Sequence, residues 1–237
     1  MPFGWTPARR RGVEILDDPA TPRDVRQRAM ADIARSNALL GGTRAVLAAL
    51  DDVLPRVPRL PRDATLLDVG TGLGDIPERA AERARHRGVA LTTIGLDVSE
   101  SILASARAKT SATVVGDALR LPIADASADV VTCSQLLHHF TDVDARAVIA
   151  EVHRVARVAV IIADLRRSRV AAAAFALAGS ALRFHAVTRH DGVASVYRGF
   201  TAAELGALVV DATGVTPRLR RDAFWRLSAT WFKPSRP

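Results

Sequence analysis

Between Leu66 and Asp75 the chain reads Leu-Leu-Asp-Val-Gly-Thr-Gly-Leu-Gly-Asp, and no other stretch limits its fold as tightly. Leu66 to Val69 reads as a short buried strand. Gly70, Gly72 and Gly74, at alternate positions, then make a tight turn, and a helix opens at about Asp75. Glycine lets the backbone take dihedrals that other residues resist, and lets a ligand approach with no Cβ in the way. The amides of such a turn and of the helix after it face a polar ligand at the carboxyl end of a parallel strand. Alone, the spacing specifies a nucleotide-like cofactor or a plain turn. The rest of the chain decides between them.

Downstream, strand-like and helical runs alternate. A helix is expected over Asp75 to Arg87 and a strand over Leu91 to Leu96, ending in Asp97. A helix from Ser99 to Lys109 and a short strand over Thr113 to Val115 follow, then Gly116-Asp117. A strand over Asp129 to Ser134, a helix over Ala145 to Val155 and a strand over Val158 to Ala163 ending at Asp164 complete the series. This alternation predicts an α/β fold, a Rossmann-like doubly wound parallel sheet whose strand ends share one side. The last third differs. Val170 to Phe184 reads as an apolar helix, His185 to Gly199 as a polar loop, and Thr201-Ala-Ala-Glu204 as a capping box opening a helix to about Ala212. Two strand-like runs, Val215 to Arg221 and Phe224 to Phe232, form a hairpin with its turn at Arg221-Asp222.

Ahead of the glycine turn lies an N-terminal helical extension. Residues 1–11 read as a disordered basic arm and Glu14 to Asp18 as a short helical turn. Thr21 caps a helix that Gly41-Gly42 stops, and a second helix runs from Thr43 to Leu54. Pro55, Pro58 and Pro61 read as a stiff linker. The division expected is a cap or lid over 1–58 and a catalytic domain over 59–237, with 168–200 as a substrate-side insertion. The prelude either covers a sheet edge or closes over a pocket; in the second case Asn37 and Gly41-Gly42 face the ligand.

A chain of 237 residues with 49% hydrophobic content suits one large domain with an appendage. It has no apolar run of about 18 residues for a membrane span and no signal-peptide pattern. Cys133, its single cysteine, suits a reducing cytoplasm. The formal charge of +8 rests almost entirely on arginine, spread along the chain and rarely interleaved with aromatics. No nucleic-acid partner is therefore expected, and Arg166-Arg167-Ser168-Arg169 reads as a solvated rim. The oligomeric state stays open.

The strand ends converge on one crevice. Asp97, about 20–25 residues beyond the glycines, is placed to take two ribose hydroxyls. Asp117 is placed to accept from an exocyclic amine. Ser134-Gln135 and then Leu136-Leu137-His138-His139-Phe140 follow the fourth strand, and Asp164 ends the fifth. A nicotinamide dinucleotide is the chief competitor, and the Gly-x-Gly-x-Gly spacing argues against it.

These residues resemble the class I S-adenosylmethionine-dependent methyltransferases of small-molecule type. The matching stretches are Asp68-Val-Gly-Thr-Gly-Leu-Gly74, Gly95-Leu-Asp-Val-Ser99, Gly116-Asp-Ala-Leu-Arg-Leu-Pro122, Asp129-Val-Val-Thr-Cys-Ser134 and Leu137-His-His-Phe140, spanning about residues 63–165. The resemblance implies a seven-stranded sheet with its last strand antiparallel, in agreement with the terminal hairpin. It also implies S-adenosyl-L-methionine as cofactor and S-adenosyl-L-homocysteine as product. The cofactor residues it marks are Asp68, Gly70, Thr71, Gly72, Gly74, Asp97, Val98, Asp117, Ala118, Ser134 and Gln135. The glycines face the methionine portion, Val98 packs on adenine, and Asp117-Ala118 meet its edge. A Leu-x-Pro-Gly-Gly turn common before the fifth strand is missing here, so the subfamily stays open.

Methyl transfer to a phenol or enol gains from a base that takes the hydroxyl proton, and histidine suits that role near neutral pH. His139 is favoured over His138, with Asp164 as the partner that orients it. Packing histidines and a capping aspartate are the plainer alternatives. A metal is not expected, because the acidic cluster of metal-dependent catechol methylators is not evident. The expected function is O-methylation of a small hydrophobic or aromatic acceptor of natural-product type in the cytoplasm. C-methylation of a quinone or lipid precursor is the alternative enzyme reading, and a non-catalytic cofactor-binding regulator the alternative outside enzymes. Phe175, Leu177, Leu182 and Phe184 suit an apolar pocket, to which Asp191, Ser195, Tyr197 and Arg198 add polar groups.

Overall fold

The structure is a computed structural model and describes residues 6–18, 20–58 and 63–233. Seven strands form one sheet: β1 (Ala64–Val69), β2 (Leu91–Asp97), β3 (Ala112–Val115), β4 (Ala128–Ser134), β5 (Ala156–Leu165), β6 (Arg218–Asp222) and β7 (Arg226–Phe232). Their order is β3-β2-β1-β4-β5-β7-β6. β7 runs antiparallel to both β5 and β6, and every other pairing is parallel. The expected doubly wound sheet with an antiparallel last strand is therefore present. The hairpin turn falls at Ala223-Phe224-Trp225, with Phe224 and Trp225 at positive φ, rather than at Arg221-Asp222.

Among the described residues, eight α-helices surround the sheet: α1 (Arg23–Leu39), α2 (Gly42–Val53), α3 (Asp75–Arg85), α4 (Glu100–Ala106), α5 (Asp142–Val155), α6 (Arg169–Ala181), α7 (Ala186–Arg198) and α8 (Ala202–Thr213). Strand residues alternate between two core layers, as the pleat requires. Leu67, Val69, Val131, Val160 and Ile162 pack toward α5 and α8, in a layer with Val148, Ile149, Leu205 and Val209. Leu66, Val130, Ala159 and Ile161 pack on the other face with Leu50, Val53 and Ala80 of α2 and α3.

That second layer divides the N-terminal extension. Leu50 and Val53 are fully buried against the sheet, so α2 is part of the core and not of a separable cap. Helix α1 lies across the strand ends instead. The hydroxyl of Thr21 donates to the carbonyl of Ile15 at 2.6 Å, so it does not cap α1, whose N-cap position is Pro22. Pro61, the last proline of the expected linker, lies outside the described residues.

The expected loop over 185–199 is helix α7. Its buried positions include Thr188, Asp191 and Arg198, so the stripe it buries is largely polar and carries no apolar periodicity to read. Those polar groups hold the N-terminal segment. Asp191 accepts from the amides of Ile15 and Leu16 at 2.9 and 3.0 Å. Residues 7–11, read from sequence as part of a disordered arm, are pinned as well. The Arg10 amide donates to the carbonyl of Tyr197 at 3.1 Å, and Arg9 Nε donates to that of Arg198 at 2.6 Å. Arg167 is buried rather than part of a solvated rim: it donates to the carbonyls of Pro7 and Gly199 and pairs with Glu204 at 2.7 Å. Glu204 also closes the expected capping box with Thr201.

Candidate active site

A cavity of about 410 Å³ opens at the carboxyl ends of β1, β2, β4 and β5. Its floor is the glycine turn. Gly70, Gly72 and Gly74 all have positive φ (73°, 57° and 76°), which an L side chain would strain. A Cβ on Gly72 would stand 3.3 Å from Met30 Cε, so the turn presents bare backbone to the space beneath α1. Asp97 fastens the turn from β2: its Oδ2 accepts from the Gly72 amide at 3.1 Å, and its Oδ1 accepts from Ser99 N at 3.0 Å. Each carboxylate oxygen keeps a lone pair for a further donor.

Three buried polar atoms of cavity-lining residues have no partner among the described residues: Thr71 Oγ1, Asp75 Oδ2 and Ser134 Oγ. Burial also raises the Asp75 carboxyl above its ordinary range. Unsatisfied groups of this kind mark a place where a polar ligand completes the site. They flank the turn, and they fit the amino-acid end of a nucleoside cofactor.

Of the cofactor residues expected from sequence, Gly70, Thr71, Gly72, Asp97, Ser134 and Gln135 line this cavity, and Asp68, Gly74, Val98, Asp117 and Ala118 do not. Asp68 lies beneath the turn, where its Oδ1 accepts from the Thr132 hydroxyl at 2.6 Å. Full burial pushes its carboxyl up to about 7, against the pull of the Thr132 hydroxyl. Gly74 packs on Ala106. Val98 is 74% exposed, and it and the exposed Asp117 follow the ends of β2 and β3, outside the cavity proper.

The other wall carries the histidines. His138 is buried, and its Nδ1 lies 2.7 Å from Asp164 Oδ1; its backbone amide donates to Asp164 Oδ2 at 3.1 Å. Burial would raise the Asp164 carboxyl. The charge and hydrogen bond of His138 and the amide of Leu165 outweigh that and hold it below the ordinary range. Nε2 of His138 faces Glu14 at 4.0 Å.

Asp164 therefore orients His138, and not His139 as the sequence reading had it. His139 Nδ1 instead stands 3.2 Å from both Asp17 Oδ1 and an Arg198 guanidinium nitrogen. Burial lowers the pKa of His139, but the hydrogen bond to Asp17 and the charges of Glu14 and Asp17 turn the net shift upward. The same contact, with help from Arg198, lowers Asp17 to about 2. Both histidines line the cavity.

Sequence reasoning missed Glu14, Asp17 and Arg226. Glu14 is buried, accepting from Ser195 Oγ at 2.7 Å and paired with Arg198 at 3.0 Å. Arg226 opens β7, is buried and lines the cavity. Burial lowers its guanidinium to about 10, against the charge of Asp164. Asn37 does line the cavity as expected, but Gly41 packs on Phe224 instead. The roof consists of α1 and α7 more than α6. Met30, Ile33, Gly192 and Val196 line it, while α6 contributes Phe175 and leaves Leu177 exposed.

Residues 66–159 match the family model described as a methyltransferase domain. Over that stretch, less than half of the chain, the protein is similar to methyltransferases. It is 38% identical over 101 residues to a demethylmenaquinone methyltransferase of Deinococcus radiodurans, covering 40% of this chain and 38% of that one. It is 36% identical over 119 residues to the ubiquinone/menaquinone biosynthesis C-methyltransferase UbiE of Dinoroseobacter shibae, covering 46% and 43%. The chain thus spans less than half the length of these curated relatives. Among solved structures, the plantazolicin methyltransferase BpumL in complex with S-adenosylhomocysteine superposes with a TM-score of 0.65 at 13% identity, over 92% of both chains. That likeness is one of fold and covers most of the chain. Among the described residues, no helix is long and apolar enough to cross a membrane.

Proposed function

We propose that this methyltransferase domain transfers a methyl group from S-adenosylmethionine to the hydroxyl of a small hydrophobic phenol or enol. The observation that carries the reading is His138, which lines the cavity with its Nδ1 held by the buried Asp164 behind it. When bound, S-adenosylmethionine supplies the electrophilic methyl group. The glycine turn and Asp97 hold it, with Thr71, Asp75, Ser134 and Gln135 as further polar partners and Val98, Asp117 and Ala118 as the outer wall.

Asp164 Oδ1 accepts a hydrogen bond from Nδ1–H of His138. In the tautomer that carries its proton on Nδ1, His138 presents Nε2 as an acceptor for the proton of the incoming hydroxyl. The imidazolium that forms sits between Asp164 and Glu14, two carboxylates that favour its charge. His139, tied to Asp17 and Arg198, keeps the N-terminal segment against α7. Met30, Ile33, Leu136, Phe175 and Val196 give an apolar lining suited to an aromatic or polyketide-like acceptor. The roof of α1 and α7 keeps water from the reacting atoms.

A second reading is C-methylation of a quinone or lipid precursor, favoured by the likeness to the quinone-biosynthesis methyltransferases of Deinococcus radiodurans and Dinoroseobacter shibae. Removing the same hydroxyl proton raises the nucleophilicity of a neighbouring ring carbon. The test is turnover of 13C-methyl-labelled S-adenosylmethionine against a panel of phenols, enols and demethylated quinols. The methyl resonance of the product separates O-methyl from C-methyl. O-methylated product is expected, lost in His138→Ala. C-methylated product supports the second reading. No turnover on any member, with S-adenosylhomocysteine still bound, supports a cofactor-binding regulator instead.

A further inference from the structure

Arg226 has no place in the reading above, yet it is a buried charge facing the cavity. Its Nε donates to the carbonyl of Leu40 at 3.0 Å, and its Nη1 donates to Gln135 Oε1 at 2.8 Å. Gln135 is held in turn by its Nε2, which donates to Asn37 Oδ1. The guanidinium is thus fixed by one backbone carbonyl and a side-chain chain anchored on α1. Among the described residues Nη2 donates to nothing, and no carboxylate forms an ion pair with Arg226.

A buried guanidinium without an anion is costly, and an unpaired donor at a cavity wall adds to that cost. Asp164 is the carboxylate whose field reaches it, but both Asp164 oxygens are taken by His138 and the Leu165 amide. The cavity is otherwise rich in carboxylates, so an incoming anion finds a ready partner here.

The sheet decides which ligand that is. Arg226 lies opposite Leu165 in the β5–β7 ladder, and its neighbour Leu227 lies opposite Asp164. β7 is separated from β1, which carries the glycine turn, by β4 and β5. Arg226 therefore stands on the His138 side of the cavity, away from Asp97.

We propose that Arg226 is the oxyanion subsite for the acceptor, selecting phenols or enols whose hydroxyl becomes an oxygen anion beside His138. The inference rests on the proposed methyl transfer and narrows its acceptor. Hydrogen bonds to charged groups contribute about 1.5–3 kcal/mol. A phenolate should thus bind at least about tenfold more tightly than a neutral isostere. The fixed fork also explains why lysine would be a poor substitute, since it cannot span Leu40 and Gln135 while facing the cavity.

The test uses 4-nitrophenol, whose phenolate is read by absorbance, against 4-nitrotoluene, each titrated with and without S-adenosylhomocysteine. The wild type should prefer the phenolate by about tenfold or more and lower the apparent pKa of bound nitrophenol. Arg226→Gln should abolish both effects while keeping 4-nitrotoluene affinity; Arg226→Lys should restore only part. Equal wild-type binding of the two probes overturns the proposal whether or not either variant folds. Arg226→Gln weakening S-adenosylhomocysteine while leaving the phenolate preference intact also overturns it, and assigns Arg226 to the cofactor carboxylate. Failure of S-adenosylhomocysteine to bind the wild type sinks the methyl-transfer reading, whereas the phenolate preference without it still decides for or against Arg226.

Discussion

Replacing Asp164 by asparagine separates orientation from binding. The carboxylate accepts three hydrogen bonds: His138 Nδ1 at 2.7 Å, His138 N at 3.1 Å and Leu165 N at 2.7 Å. An amide of the same shape has one oxygen and one NH2 group. Its NH2 must face either the imidazole or a backbone amide. Facing the imidazole, it donates to Nδ1 and forces the proton to Nε2, so that His138 no longer accepts at the cavity. Asp164→Asn should lower kcat by about 10²–10⁴, the usual worth of a positioned base. Stability should fall by about 1–3 kcal/mol for the donor left unpaired. Affinity for S-adenosylhomocysteine should stay within about twofold, as Asp164 does not line the cavity and donates nothing to the glycine turn.

The pH dependence has a defined sign. The carboxyl of Asp164 is held below its ordinary value in the fold, because His138 and the backbone amides outweigh burial. Its stabilisation is therefore present above the unfolded value of about 3.9 and is lost as pH falls through the folded one. Urea melts of wild type and variant should converge on acidification and separate above about pH 5. A variant with wild-type kcat, or one whose loss of rate is matched by a loss of S-adenosylhomocysteine affinity, refutes the reasoning.

Asp97→Ala should weaken S-adenosylhomocysteine binding by about 2–4 kcal/mol in titration calorimetry, since it removes ligand acceptors and also frees the Gly72 amide. His139→Ala should leave most of the turnover that His138→Ala abolishes; the reverse pattern in kcat restores the sequence-based choice of base. Asp17→Asn should move the NMR titration of His139 downward, because the hydrogen bond to Asp17 is the chief force raising it. The stabilisation from that raised value is present below the unfolded pKa of about 6.5 and is lost as pH rises through the folded one. Leu50→Ala in α2 should cost about 2–5 kcal/mol in denaturant melts, whereas a lid helix would barely register. Gly192→Ala drives a Cβ into the Phe175 ring, so it should raise the acceptor KM with little change in cofactor affinity.

The sheet and the glycine turn were legible because local chemistry and tertiary role coincide there. Leu66 to Val69 is both a good strand and a buried one, and Gly70 and Gly72 serve turn and cavity together. The acceptor side was less legible, because its helices bury polar residues. Asp32, Ser36 and Asn37 face inward on α1, and Thr188 and Asp191 on α7, so hydrophobic period gave α7 no signature. Glu14 and Asp17 come to the histidines through contacts with α7, from Asp191, Ser195 and Arg198, the last 181 residues beyond Asp17. Arg226 looked like an ordinary strand residue, and its burial depends on Leu40 and Gln135. Only the spatial pairing of Asp164 ranks the histidines, and the two adjacent positions could not be separated by spacing alone.

Calorimetric titration of the purified protein with S-adenosylhomocysteine and, separately, with NADH tests the central claim most directly. The account predicts saturable one-to-one binding of S-adenosylhomocysteine and no measurable binding of NADH. NADH binding more tightly than S-adenosylhomocysteine would contradict it.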